Sequence, residues 1–449
     1  MTHASLDSSH TAESKSFAVI GAGISGLSAA WLLSQRHAVT LFEAESWLGG
    51  HTNTVEVQTA AGPIAVDTGF IVFNDRNYPN LVPLFAYLGV PSAPSDMSFS
   101  ASLDDGAYEY SGSDLPGLLA QPGNVLKLRF WRMLADIRRF YARAQDYLAR
   151  TDPGESIGAL VAREGYSREF LDDHLWPMAG AIWSAGNADI SQYPALALLR
   201  FFANHGLLSL NDRPRWRTVL GGGREYVRRL VDAMPNARIV RAGVARVHRT
   251  ATGVVVRDAN GHEANFDEVV IATHADDALG LLTAPTQEER DVLGAFGYSS
   301  NTAWLHEDDR FMPRRRRAWA SWNYLGSANH TGDAPVSLTY WMNRLQPLAT
   351  RHALFVTLNP AREPDPARVH YRTTYRHPRF DANALRAQQS MWSIQGKCRT
   401  WFCGAHFGYG FHEDGLQAGL AVAEAAGNVR RPWTTPSAPS RIATRPHTT

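Results

Sequence analysis

Two glycine-bearing stretches, near opposite ends of the chain, carry the residue types that bind anions and move protons. In the first, an apolar run, Phe17-Ala18-Val19-Ile20, meets the turn Gly21-Ala22-Gly23-Ile24-Ser25-Gly26, and Leu27, Ala29, Ala30, Leu32 and Leu33 continue at helical density. Gly21 permits a tight turn, Gly23 lets a pyrophosphate approach the backbone, and Gly26 allows helix and strand to pack closely. The helix start then offers unpaired N–H groups and the positive end of a dipole to phosphate oxygens. A second apolar run, Val39-Thr40-Leu41-Phe42, ends in Glu43, 20 residues after Gly23. There a carboxylate accepts bonds from ribose hydroxyls and repels a 2′-phosphate, which disfavours NADP. Strand, turn, helix and acid in this order predict dinucleotide binding, against the alternative of a glycine turn used only for packing.

The second stretch, CGAHFGYGFHEDGLQAGLAVA at 403–423, is an aromatic, histidine-bearing loop that runs into a small-residue helix. Asp414 reads as the N-cap, which leaves the N–H groups of Gly415 and Leu416 free for an electron-rich guest. His412 is the candidate catalytic residue, as a proton acceptor, because an unperturbed imidazole titrates near pH ~6.5. The alternative is a hydrogen-bonding loop histidine.

These stretches need a large scaffold. The chain has 449 residues, 44% hydrophobic and 19% charged, with a formal net charge of +1. That length suits two domains, and the charge leaves no electrostatic footprint for nucleic acid. Two cysteines, Cys398 and Cys403, make no Cys-x-x-Cys motif and fit a reducing, cytoplasmic setting. No run of about 18 apolar residues predicts a membrane span. The opening MTHASLDSSHTAESKS is polar and does not read as a secretory signal. Residues 124–150 have apolar positions at helical spacing together with Lys127, Arg129, Arg132, Arg138, Arg139 and Arg143. This reads as a core helix with a solvated face, with peripheral contact to an anionic membrane as the alternative. His174 and His205 read as structural histidines, and no spacing suggests a metal site.

Further motifs carry a resemblance. EAESWLGGHTNTVEV places Gly49, Gly50, His51 and Thr52 shortly after Glu43, and VDTGFIVFN spans 66–74. Here the chain resembles the FAD-containing amine-oxidase superfamily, which includes monoamine and polyamine oxidases, protoporphyrinogen oxidase and phytoene-type desaturases. The resemblance implies non-covalent FAD as the cofactor. Beyond the first turn, Glu43 and Ala44, it implicates Gly49, Gly50, His51 and Thr52 near the diphosphate, and Gly69 and Phe70 along the isoalloxazine. It also implicates the Val244 backbone at adenine, Ala272 and Thr273 at a strand end, and Gly404, Asp414, Gly415 and Leu416 at the flavin ring. The chain departs from the family at His51 (Arg there), Ala405 (an acid), His412 (a cage aromatic) and Asn301 (a lysine). Loss of the cage aromatic and the lysine argues against a simple amine substrate. VDTGFIVFNDRNYPNL, WNYLGS, YWMNRLQ and GYGFHEDGL resemble a branch of NAD/FAD-binding proteins associated with cyclopropane-fatty-acyl synthases, which implies a lipid-related substrate.

The expected fold is α/β: a discontinuous Rossmann-like FAD-binding domain at 15–80, 215–290 and 391–430, with a mixed α+β substrate domain. The latter comprises a mostly helical insertion at 81–214 and a sheet at 291–390. Residues 1–14 and 431–449 are read as disordered. The expected activity is an FAD-dependent oxidoreductase that takes a hydride from a hydrophobic, lipid or fatty-acyl substrate. The alternatives are a flavin-dependent isomerase or mutase without net redox change, and a flavoprotein partner of a lipid-modifying enzyme.

Overall fold

A computed structural model describes residues 14–60, 62–152, 154–183, 187–204, 206–208, 214–326, 337–435 and 441–444. Five strands form a parallel sheet in the order Ala237–Val240, Ala38–Phe42, Ser16–Ile20, Glu268–Ile271, Thr400–Phe402. Three distant stretches of chain therefore build one layer. The central strand reads as an unbroken apolar run because a parallel sheet is covered on both faces. Beside this sheet lies an antiparallel meander, Val244–Arg249, Val254–Asp258 and Glu263–Phe266, with Gly261 at φ +88° in its second turn.

Helix Ile24–Ser34 holds no charged side chain, and all 11 of its residues are buried. A helix apolar all round must be covered all round, and the C-terminal helix His412–Gly427 supplies one cover. The two run parallel. A Cβ on Gly415 would meet Ser25 Oγ at 2.8 Å, one on Gly419 would meet Ser25 O at 2.2 Å, and one on Gly427 would meet Leu33 at 2.5 Å. The N-termini of both helices consequently lie at the same end.

A seven-stranded sheet forms the other layer, in the order Val369–Arg379, Gly297–His306, Phe355–Leu358, Ser337–Trp341, Trp322–Gly326, Phe99–Leu103, Tyr108–Ser111. Its last two strands come from a segment whose sequence reads as turns and short apolar runs. FSASL and YEYS lack β-branched alternation because their small polar residues are paired inside: Ser100 donates to Asn323 at 2.8 Å and Ser102 to Glu109 at 2.8 Å. The helical insertion, including Leu128–Arg150, Ile157–Arg163 and Ala195–Asn204, gathers around Phe140, Leu160, Phe170 and Phe202. His174 is structural, with Nδ1 3.0 Å from the Tyr110 hydroxyl. His205 lies outside the described residues.

The tail corrects an expectation. Residues 431–435 and 441–444, read as disordered, are pinned to the body, whereas 436–440 and 445–449 lie outside the described residues. Trp433 stacks on Trp31 at 5.8 Å, Arg431 pairs with Glu424 at 2.8 Å, and Arg441 pairs with Asp414 at 2.8 Å. Three aromatic or cationic anchors outweigh a Pro/Ser/Thr-rich composition, because each finds a complementary group on the closing helix or the helix beneath it.

Candidate functional site

The first glycine turn is rigid and open on one side. Gly21 takes φ +97°, and its N–H donates to Phe42 O at 2.8 Å; a Cβ there would meet the Ala272 carbonyl at 3.0 Å and Thr273 at 3.5 Å. Gly26 approaches the Gly21 carbonyl so closely that a Cβ would lie 1.8 Å from it. Gly23, by contrast, caps the helix without any side-chain hydrogen bond and has nothing within 4 Å of its Cβ direction. Ala22, Ile24 and Ser25 are buried behind it. Glu43 fixes the turn: Oε2 accepts the Ala22 N–H at 2.7 Å and Oε1 accepts the Glu45 N–H at 2.9 Å. Gly49 docks on the same turn through its N–H to Ala22 O at 2.8 Å, with Gly50 against Gly23. Ala44 meets Gly243, which sets Val244 beside the end of the second strand.

A second wall stands next to the cradle. Phe70 donates its N–H to His51 O at 2.8 Å, and Gly69 leaves no room for a Cβ, which would lie 2.1 Å from that oxygen. Phe70 stacks on His412 with centroids 3.8 Å apart at 12°. His412 Nε2 lies 2.7 Å from the Tyr226 hydroxyl, which lies 2.6 Å from Thr52 Oγ1. His51 sits 5.0 Å from Tyr375, 5.4 Å from His377 and 6.1 Å from His274, centroid to centroid. Gly404 carries the loop past His406, which is buried. Phe70 and the histidines 51, 274, 377 and 412 are only partly buried, so they line a space rather than fill a core.

Burial holds His51, His377, His406 and His412 neutral. The pKa of His51 falls to about 3, first by burial and then by His377, His274 and His412. That of His412 falls to about 3 by burial, and that of His406 to about 3 by burial and then His274. His377 falls to about 4 for the same two reasons. Asp67, which orders the turn at Gly223 by accepting its N–H at 2.9 Å, is pushed up to about 7 by burial. Nε2 of His51 and of His406 are buried without a partner. Sequence reading missed His274, His377, His406 and Tyr226; their only shared signal is aromatic or imidazole character scattered over distant segments.

The closing helix departs from expectation in register. It begins at His412 with Phe411 as N-cap, so the first two N–H groups, those without an intrahelical acceptor, belong to His412 and Glu413. Gly415 donates to Phe411 O at 3.2 Å, and Leu416 is fully buried. Asp414 is not the N-cap. It accepts the Phe411 N–H at 2.8 Å from the third helical position and is ion-paired with Arg441. The physical reason is that Glu413, one residue earlier, is needed inside the helix, where it accepts from Asn80 N–H at 2.9 Å and Leu81 N–H at 3.0 Å.

Among the described residues one trio, His274, Asp276 and Asp277, brings potential cation ligands within 4.8 Å of one another. Arg376 is ion-paired with both of its carboxylates. Two hollows of about 480 and 490 Å³, lined by residues such as Trp319 with Trp341 and Asn383 with Arg386, involve none of the cradle residues.

The family of flavin containing amine oxidoreductases matches residues 24–367. The chain belongs to that family. It is 25% identical over 275 residues to the coproporphyrinogen III oxidase of Mycobacterium tuberculosis, covering 58% of this chain and 59% of that protein. The chain thus spans under two thirds of the curated relatives it matches. Its fold is that of cyclohexylamine oxidase from Brevibacterium oxydans, with a TM-score of 0.63, 17% identity, and coverage of 93% and 99% of the two chains. A CLA-producing fatty acid isomerase from P. acnes aligns with a TM-score of 0.64 at 14% identity, covering 92% and 98%.

FAD is therefore the cofactor of this protein. The residues fit that cofactor. Gly23 faces open space at an uncapped helix start, where a phosphate is stabilised by backbone N–H groups and the dipole. The orphaned imidazole nitrogens of His51 and His406 lie in the same interior and await a polar partner. Among the described residues no helix of this flavoprotein is long and apolar enough to cross a membrane.

Proposed function

We propose that this flavoprotein removes a hydride from a C–H bond of an uncharged, hydrophobic substrate of the lipid or fatty-acyl class. The carrying observation is the wall that meets the cradle. It is built from Phe70, Tyr375 and histidines that burial keeps neutral, and no lysine stands in it. At the position where the family carries lysine, Asn301 is buried and committed, with Nδ2 2.8 Å from His377 Nδ1 and Oδ1 accepting from Asn359 at 2.7 Å. Such a wall offers a cation no counter-charge and disfavours burying one. FAD, when bound, supplies the two-electron acceptor. The open helix start at Gly23, with Gly50 beside it, would hold its phosphates, with Glu43 at the ribose and the Val244 backbone at adenine. The N–H groups of His412 and Glu413 favour negative charge at the other end. His412, stacked on Phe70 and tied to Tyr226, acts as a neutral hydrogen-bonding wall rather than as a carrier of charge.

A second reading, isomerisation without net redox change, is favoured by the fold shared with the fatty acid isomerase. Anaerobic addition of unsaturated and saturated acyl lipids to the oxidised protein tests both. Lasting, stoichiometric loss of flavin absorbance is expected for the oxidoreductase, and product without lasting bleaching for the isomerase. Bleaching by primary amines but not by lipids would overturn the substrate class.

A further inference from the structure

Seven large apolar side chains are conspicuously exposed among the described residues, and five of them, Leu115, Val125, Leu126, Leu128 and Trp131, fall between positions 115 and 131. Four of these surround the start of helix Leu128–Arg150, with Leu126 at 89%, Leu128 at 63% and Trp131 at 54% exposure. They are held in place: Asn124 is buried and donates to Glu109 O at 3.1 Å, and the Trp131 indole N–H donates to Val125 O at 2.8 Å. A fixed, protruding apolar tip of this kind marks an interaction surface.

Positive charge predominates around the tip, although Arg132 is paired with Glu169 at 3.1 Å and Arg129 with Asp173 at 2.5 Å. Lys127, Arg132 and Arg138 are exposed beside it, and the small residues Ala135 and Ala142 continue its outer stripe. The single acid between Leu115 and Gln145 is Asp136; it is half-buried and already engaged by the Ser167 N–H at 2.8 Å and Arg139 at 3.1 Å. The inner face of the same helix sends Phe140 and Tyr147 into the core shared with Phe380, against which Phe411, the N-cap of the closing helix, is packed. One helix thus has its outer face on the surface and its inner face in the core against which Phe411 also packs.

We propose that residues 125–138 dock this protein on an anionic lipid bilayer, with Leu126, Leu128 and Trp131 entering the headgroup boundary and Lys127 and Arg138 facing the phosphates. Apolar anchors with an interfacial tryptophan and a cationic collar are the chemistry such a surface recognises. The inference stands apart from the substrate class, since vesicle binding is read without turnover.

The test is co-sedimentation of the holoprotein with vesicles of phosphatidylcholine and phosphatidylglycerol in equal parts, and with phosphatidylcholine alone, at about 0.1 M salt, where charges interact over about 10 Å. Sedimentation with the mixed vesicles is expected to exceed that with the neutral ones at least tenfold. The triple variant Leu126→Ser, Leu128→Ser, Trp131→Ser should lose at least tenfold in partitioning. Lys127→Glu with Arg138→Glu should abolish the preference for anionic lipid. All of these positions are exposed, so the visible flavin spectrum should be unchanged and serves as the folding control. Failure of the native protein to sediment, or equal sedimentation of the triple variant, would overturn the proposal. So would a native dimer that the triple variant turns into a monomer without any vesicle binding, which would mark the patch as a contact between copies.

Discussion

Helices Ile24–Ser34 and His412–Gly427 lie side by side with their N-termini at the same end, and both begin in glycine-rich sequence. At the first, Gly23 looks into open space; at the second, Gly415 and Gly419 look into the other helix. The same residue type thus leaves room for a ligand in one region and for a neighbouring backbone in the other. What distinguishes them is what lies beyond the missing side chain.

Substitutions break or sharpen that contrast. The largest effect is expected for Gly419→Val, whose Cβ would lie 2.2 Å from the Ser25 carbonyl and 2.3 Å from Ser28 Oγ. Overpacking against backbone costs roughly 3 kcal/mol or more, so the melting temperature of the apoprotein should fall by about 3 °C or more. An unchanged melting temperature would mean that the two helices do not touch as described. Gly23→Ala should behave in the opposite way. Its φ of −70° suits alanine and no protein atom stands in the way, so apoprotein stability should hold while FAD binding weakens at least about tenfold, or ~1.4 kcal/mol. Titration of apoprotein with FAD by flavin fluorescence reads this; undiminished affinity would remove the pyrophosphate from Gly23.

The smallest effect separates the regions by proton binding. The cradle, residues 16–34, contains no histidine, whereas the closing region carries His406 and His412, both lowered to about 3. A histidine whose folded pKa lies below its unfolded value binds fewer protons in the native state between about pH 3 and 6.5. Stability therefore rises with pH through that window. Glu413 and Asp67, each raised to about 7, act in the opposite sense up to about pH 7. They are outnumbered by His51, His377, His406 and His412, together with His174 and His306, which are lowered to about 4. The melting temperature should consequently climb from pH 4 to about 6.5 and then level. His406→Gln should flatten the climb; a profile that is flat or falling in the native protein would show that the rings do not stay neutral.

The contrast also separates what can be read locally from what cannot. The cradle is legible because strand, turn, helix and Glu43 follow one another within 16–43, and each acts on its immediate neighbours. The sequence places the start of the closing helix three residues too late. A carboxylate at Asp414 looks like a cap, and only Asn80 and Leu81, more than 300 positions away, show why Glu413 must already be helical. Strands Phe99–Leu103 and Tyr108–Ser111 escaped notice because their polar residues are satisfied by partners across the sheet.

The sequence alone determined the glycine turn between strand and helix, with Glu43 upon it, and the family, because turn geometry, helix start and carboxylate spacing are properties of contiguous chain. Tertiary structure decided the neutral histidine wall, the Phe70–His412–Tyr226–Thr52 contact and the anchoring of Trp433 and Arg441. Those features arise from burial and hydrogen bonding between separate segments of the chain, and no local pattern encodes a desolvation that exists only once the layers have closed.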